Sequence, residues 1–110
     1  MAVQVSKNGE VGIVRISGKL DTQSFPEAQS ELTRLVEEGT RKILVDLKGL
    51  VYISSAGLRV LLSTAKLLES NGGEIRICSL NDFVEEVFEI SGFSTIFQVF
   101  GSEAEAMDGF

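Results

Sequence analysis

Apolar and polar residues alternate from Val3 to Lys7 and again from Val11 to Ser17, the period of a half-buried strand. Asn8–Gly9 between them is a hairpin turn signal, so the chain is predicted to open with two antiparallel strands, the second ending at Gly18. The period then changes. Phe25, Ala28, Leu32, Leu35 and Val36 form one helical stripe, with Thr22 and Ser24 as candidate N-caps, Pro26 and Glu27 in the first turn, and Gly39 as the stop. Ile43–Leu47 is a short β-branched run that reads as a buried strand. A second helix, capped by Ser54 or Ser55, carries Leu58, Leu61, Leu62, Ala65 and Leu68 on its apolar face and ends at Asn71–Gly72–Gly73. Glu74–Cys78 is predicted as a strand. Asn81 or Asp82 caps a third helix that places Phe83, Val87 and Ile90 on one side and ends at Gly92. Thr95–Val99 is read as a last strand and Glu103–Met107 as a short terminal helix.

The order β-β-α-β-α-β-α-β-α implies right-handed crossovers and a mostly parallel sheet, made mixed by the opening hairpin. The expectation is one α/β domain over residues 1–110, with about five strands and about four helices, since no linker or repeat interrupts the pattern.

Composition narrows the chemistry. With 44% hydrophobic and 24% charged residues, the chain has enough apolar side chains for a packed core and is not of the disordered class. It has no His and one Cys, Cys78, which excludes His-ligated metal sites, Ser-His-Asp and Cys-His chemistry and an internal disulfide. No G-x-x-x-x-G-K-[ST] or G-x-G-x-x-G loop is present, so neither an enzyme nor a cofactor or metal protein is expected. The net charge of −6 is uneven: residues 77–110 hold seven acidic side chains and no basic one. Without a basic cluster, nucleic acid is not an expected partner. No apolar run of about 18 residues is present, and MAVQVSKNGE lacks the apolar core of a signal peptide, so a cytoplasmic protein is expected.

The most unusual stretch is KGLVYISSAGLRVLL, from Lys48 to Leu62. A serine at the start of a helix sits among unpaired backbone N–H groups and the positive end of the helix dipole, where a negative group is welcome. A phosphate on that hydroxyl adds about −1.5 to −2 charges. Small Ala56 and Gly57 would leave room for another protein to approach it. Serine is also among the commonest N-caps, and a plain cap is the competing reading. Asp21 reads as a turn and capping residue, Asp46 as a strand-end carboxylate, Cys78 as a small core residue, and Asp82, Glu85, Glu86 and Glu89 as a solvated helix face.

Four segments, in order and spacing, resemble the STAS domains of anti-sigma factor antagonists, the SpoIIAA-like family. Gly18–Asp21 (GKLD) looks like the family's G-x-L-D. VDLKGLVYISSAGLRVLL looks like its D-L-x-x-(apolar)-x-(apolar)-D-S-[ST/A]-G-L. GGEIRICSL and Phe88–Phe93 (FEISGF) look like its following strand and its F-x-x-S-G-(apolar) pattern. The resemblance covers essentially the whole chain. It implies a STAS fold and places the family's phosphorylated serine on Ser55, with Ser54 the alternative. Ser54 stands where the family has Asp. A partner-binding surface is implied at Asp21, Ser54, Ser55, Ala56, Gly57, Leu58 and Arg59. The implied mechanism is partner switching. The unphosphorylated protein binds an anti-sigma factor that is also a serine kinase, releasing the sigma factor. Phosphorylation of Ser55 reverses binding, and a phosphatase resets it. Two other expectations compete: a STAS-type small-ligand or nucleotide sensor, or a scaffold module of a signalling complex.

Overall fold

A computed structural model describes residues 1–110. Strands β1 (Ala2–Asn8) and β2 (Val11–Leu20) form the opening antiparallel hairpin, in full register from Ala2↔Ser17 to Asn8↔Val11. Helix α1 (Phe25–Glu37) leads to β3 (Lys42–Asp46), β4 (Leu50–Ile53), α2 (Ser55–Ser70), β5 (Glu74–Cys78), α3 (Asp82–Ile90), the one-turn helix α4 (Phe93–Ile96), β6 (Gln98–Phe100) and α5 (Glu103–Met107). The sheet order is β1-β2-β3-β5-β6, and every pair after the hairpin is parallel. The mixed, mostly parallel α/β architecture expected from the sequence is present, with six strands and five helices.

The extra strand is β4, which pairs with the far end of β2. β2 does not stop at Gly18. Its first part pairs with β3 and its last part, from Gly18 on, pairs with β4, with a bulge between Gly18 and Lys19. Gly18 takes the left-handed backbone (φ +84°) that this bend needs. Gly49 faces the same crossing: a Cβ there would lie 2.7 Å from Cβ of Ser17, so only glycine lets the β3–β4 loop pass so close to β2.

The sheet has two faces because side chains alternate along each strand. Ile43 and Val45 of β3, and Leu47 just after it, point into the main core of 19 buried residues beneath α1, α2, α3 and α4. Leu44 points the other way, into a small cluster with Val11, Ile13, Cys78 and Ala106 beneath α5. Arg76 holds the C-terminal segment on that second face. It donates to the carbonyls of Ala106 and Asp108 at 2.9 and 3.0 Å, and its guanidinium lies 4.4 Å from the centre of the Phe110 ring.

Two further expectations are corrected. Thr95–Val99 is not a strand. Left-handed Gly92 restarts the chain as α4, and β6 begins only at Gln98. That turn brings Phe93 and Phe97 onto Phe88, with ring centres 5.9 and 6.2 Å away, a packing an extended segment would forfeit. Second, α3 is rotated relative to its predicted stripe. Val84 and Phe88 are fully buried, Val87 is half-buried, and Phe83 and Ile90 are exposed. The cap explains the rotation. Asn81 accepts from the amide of Val84 through its Oδ1 and donates from Nδ2 to the carbonyl of Leu50 at 2.7 Å, pinning the first turn to β4.

Candidate functional site

β2 and β4 run parallel and finish together, with Leu20 opposite Ile53. The residues that follow are therefore brought side by side: the Asp21 loop after β2 and the Ser54–Ser55 pair after β4. The amide of Ser54 donates to the carbonyl of Leu20 at 2.9 Å and closes the junction.

Each element of this end has a local cause. Asp21 Oδ1 accepts from the amides of Gln23 and Ser24 at 3.0 and 3.1 Å, an Asx turn. The hydroxyl of Ser24 accepts from the amide of Asp21 and donates to the carbonyl of Lys19. The backbone donors of Ser24 and then Gln23 hold the Asp21 carboxyl below its ordinary value, so it is a fixed negative charge at neutral pH. The turn reading of Asp21 is thus realised, whereas the capping one is not: the N-cap of α1 is Ser24, and no side chain caps that helix.

The structure separates the two serines. Ser54, half-buried and extended (φ −95°, ψ 175°), is the N-cap of α2: its hydroxyl accepts from the amide of Gly57 at 3.4 Å and its carbonyl from the amide of Leu58 at 2.9 Å. Ser55 is the first helical residue. It is exposed, and its hydroxyl has no hydrogen-bond partner in the chain. The first turn of α2 contains no acidic side chain, so the positive end of this 16-residue helix is not already neutralised.

The neighbouring candidates sort by burial. Arg59 is exposed, and Ala56 and Leu58 are half-buried, Leu58 packing on the main core. Gly57 is buried, and its role differs from the one expected. A Cβ at Gly57 would lie 2.8 Å from both Leu20 Cγ and Ile53 Cγ1. Gly57 therefore does not clear a path for a partner. It lets the first turn of α2 settle onto the ends of β2 and β4, which fixes where Ser55 stands.

Asp46 is not part of this end. It belongs to the second face of the sheet and is buried there, not solvated as a strand-end carboxylate would be. Its side chain accepts from the amide of Lys48 at 2.9 Å, and it borders an open polar cavity of about 1010 Å³ with Arg15, Lys48 and Glu103. Arg15 binds Glu103 through two hydrogen bonds, 2.7 and 2.9 Å, and holds that carboxyl below its ordinary value. Burial, and then the hydrogen bond with Glu103, push Asp46 up. Cys78, beneath the same face, is fully buried, with its thiol pushed up to about 11 by desolvation.

Sequence reasoning missed an aromatic pair beside the serines. Tyr52 of β4 stacks on Phe83 of α3 with ring centres 6.1 Å apart, both exposed. Little in the sequence marks it: Leu50–Ile53 is apolar throughout, yet both Val51 and Tyr52 are exposed, a pattern that strand alternation does not give.

The family model for the STAS domain matches residues 2–106, and the chain belongs to that family. Over 110 residues it is 40% identical to BtrV of Bordetella bronchiseptica, a protein assigned as an anti-sigma factor antagonist, with 100% of this chain and 95% of that one aligned. It is 36% identical over 93 residues to the anti-sigma-B factor antagonist of Staphylococcus aureus, covering 84% of this chain and 86% of the relative. Among solved structures, the Thermotoga maritima protein TM1081 superposes with a TM-score of 0.92 at 22% identity over 96% of this chain and 92% of that one. SpoIIAA of Bacillus in its phosphorylated form does so with a TM-score of 0.78 at 22% identity, over 97% of both chains. The two structural likenesses establish the shared fold. No helix of the chain is long and apolar enough to cross a membrane.

Proposed function

We propose that this protein is an anti-sigma factor antagonist of the partner-switching kind, the whole chain acting as one STAS domain in the cytoplasm. Its unphosphorylated form binds an anti-sigma factor that is also a serine kinase, and so frees the sigma factor. The surface used is the end of β2 and β4: Asp21, Ser54, Ser55, Ala56, Leu58 and Arg59, seated by Gly57. The protein is the substrate of the switch and not its catalyst, in keeping with a chain that contains no histidine.

The observation that carries this reading is the division of labour between the serines. Ser54 is committed to capping α2, whereas Ser55 offers a free, exposed hydroxyl one residue later. The kinase transfers the terminal phosphoryl group of ATP to that hydroxyl, the bond to ADP breaks and the hydroxyl proton is lost. The product carries about −1.5 to −2 charges at the N-terminus of α2, where unpaired amides and the helix dipole stabilise it without unfolding the helix. The loop that follows β2 is tied to this end by the bond from the Ser54 amide to the Leu20 carbonyl. The added charge and three added oxygens on a close-fitting surface then oppose rebinding, and a phosphatase restores the hydroxyl.

The test is incubation with the cognate anti-sigma factor and ATP, followed by peptide mass spectrometry. One phosphate is expected, on Ser55, and none on the Ser55→Ala variant. Ser55→Asp is expected to bind the anti-sigma factor more weakly while unfolding at the same urea concentration. Equal phosphorylation of Ser55→Ala would reject the assignment, and equal binding of Ser55→Asp would reject the charge switch.

A further inference from the structure

The third helix carries more apolar surface than its packing uses. Val84 and Phe88 are fully buried and attach α3 to the core, yet Phe83 is 48% exposed and Ile90, two turns further on, 79% exposed. Positions seven apart lie on one side of a helix, so the two form an outward stripe. Phe83 stacks on Tyr52, which is 40% exposed, and Val51 beside it is 58% exposed. The stripe is thus continuous through Tyr52 with β4, and Ser54 and Ser55 follow directly along the chain. Isolated exposed apolar residues are ordinary, but a contiguous group joined to a functional end marks a contact surface.

The charges around it identify what it fits. Asp82, Glu86 and Glu89 lie on the outward side of α3 next to the stripe, and all are exposed. None takes part in an ion pair, and no basic residue follows Arg76 in the sequence. A second copy of this chain on the same patch would set carboxylates against carboxylates, and an anionic lipid surface would be repelled in the same way. The complement is a protein surface with an apolar centre and a Lys/Arg rim.

We infer that Tyr52, Phe83 and Ile90 form a second docking patch for the anti-sigma factor, which meets it with an apolar surface rimmed by basic side chains. This rests on the anti-sigma factor reading above. The patch lies outside the phosphorylated end, so it sets how tightly and how fast the partner docks, and Ser55 sets whether the docked pair persists.

Binding of the cognate anti-sigma factor is measured by calorimetry and stopped flow for the wild type, Ile90→Ser, Phe83→Ser/Ile90→Ser, Glu86→Lys/Glu89→Lys and Ser55→Asp. Both apolar variants change exposed side chains, and Ile90→Ser leaves the Tyr52 stack untouched. Urea midpoints should stay at the wild-type value. The double serine variant is expected to bind about tenfold more weakly or worse, and Ile90→Ser severalfold. In the phosphorylation assay its KM should rise with kcat unchanged. The lysine variant should associate more slowly and lose the salt dependence seen with the wild type. Wild-type affinity in the serine variants overturns the patch, even where Ser55→Asp weakens binding and the switch stands. Association unchanged or faster in the lysine variant overturns the basic-rimmed partner. A dimer of this chain that Phe83→Ser/Ile90→Ser abolishes assigns the patch to self-association and overturns it too. No binding by the wild type rejects the anti-sigma factor reading and this inference with it.

Discussion

The amide of Ser54 donates to the carbonyl of Leu20 at 2.9 Å. That single backbone bond joins two loops far apart in the sequence, one presenting Asp21 and the other Ser55. It exists because β4 leaves β3 and pairs with the far end of β2. Any mutation that loosens this junction should disturb the charge of the Asp21 loop and the position of Ser55 together.

The two adjacent serines should respond oppositely to alanine. Ser54→Ala removes the cap and is expected to cost about 0.5–1 kcal/mol, the lower part of the capping range, given the 3.4 Å bond to Gly57. Ser55→Ala should stay within about 0.5 kcal/mol of the wild type, because its hydroxyl bonds to nothing in the chain. Phosphorylation should show the reverse pattern, surviving in Ser54→Ala and vanishing in Ser55→Ala. Urea denaturation and mass spectrometry check both halves.

Gly57→Ala adds one methyl group 2.8 Å from Leu20 and Ile53, closer than real Cβ contacts come. Both neighbours are buried, so relief requires α2 to lift from the strand ends. The expected loss is about 1–3 kcal/mol by urea denaturation, as for other overpacked cores. The amide resonances of Leu20 to Ser24 should shift with it. An unchanged denaturation midpoint would mean that the helix is not seated by this contact.

The carboxyls on the second face should titrate apart. Asp46, raised by burial and by Glu103, should have its NMR midpoint above that of an ordinary Asp; Glu103, lowered by Arg15 and by Asp46, should fall below that of an ordinary Glu. The signs on stability are opposite. Asp46 favours the fold below its unfolded pKa, and that contribution is lost as pH rises through its raised folded value. Glu103 favours the fold above its unfolded pKa, and its contribution is lost as pH falls through its lowered one. Glu103→Gln removes the negative charge that raises Asp46 and puts an amide donor in its place, so the Asp46 midpoint should drop. An unchanged midpoint would show that Glu103 does not raise it.

Cys78 is fully buried and its thiol is pushed up to about 11, so little thiolate exists at neutral pH. Alkylation at pH 7.5 should be negligible in the native protein and complete in urea. Reaction requires opening of the α5 face, so the native rate should rise when Arg15→Ala or Arg76→Ala loosens α5 and the C-terminal segment. Rapid native labelling would contradict the burial.

Much of this protein was legible residue by residue. The hairpin announced itself through strict alternation around Asn8–Gly9, and α1 and α2 through long apolar stripes with caps and stops at their ends. Strand β4 was not legible, because Leu50–Ile53 is apolar at all four positions while only Leu50 and Ile53 are buried, so no alternation marks it. The partition of Phe83, Val84, Val87, Phe88 and Ile90 was not legible either. Five apolar positions on a nine-residue helix allow more than one buried face, and the choice falls to the bond between Asn81 and the distant Leu50 carbonyl. Asp46 looked like an ordinary strand-end carboxylate because its partners come from β2 and from α5 at the other end of the chain.

The sequence by itself determined the mixed α/β class, the family, and a helix beginning at the Ser54–Ser55 pair. These depend on periodicity, caps and motif spacing, which act within a few turns of the chain. Tertiary structure decided which serine is the cap and which is free, why position 57 is glycine, and which side of α3 faces outward. Each of those outcomes is set by a backbone carbonyl or a side chain brought in from a distant segment — Leu20 for the serines and Gly57, Leu50 for α3. Local propensity leaves several such arrangements nearly equal, and it is the nonlocal hydrogen bond or steric contact that selects one.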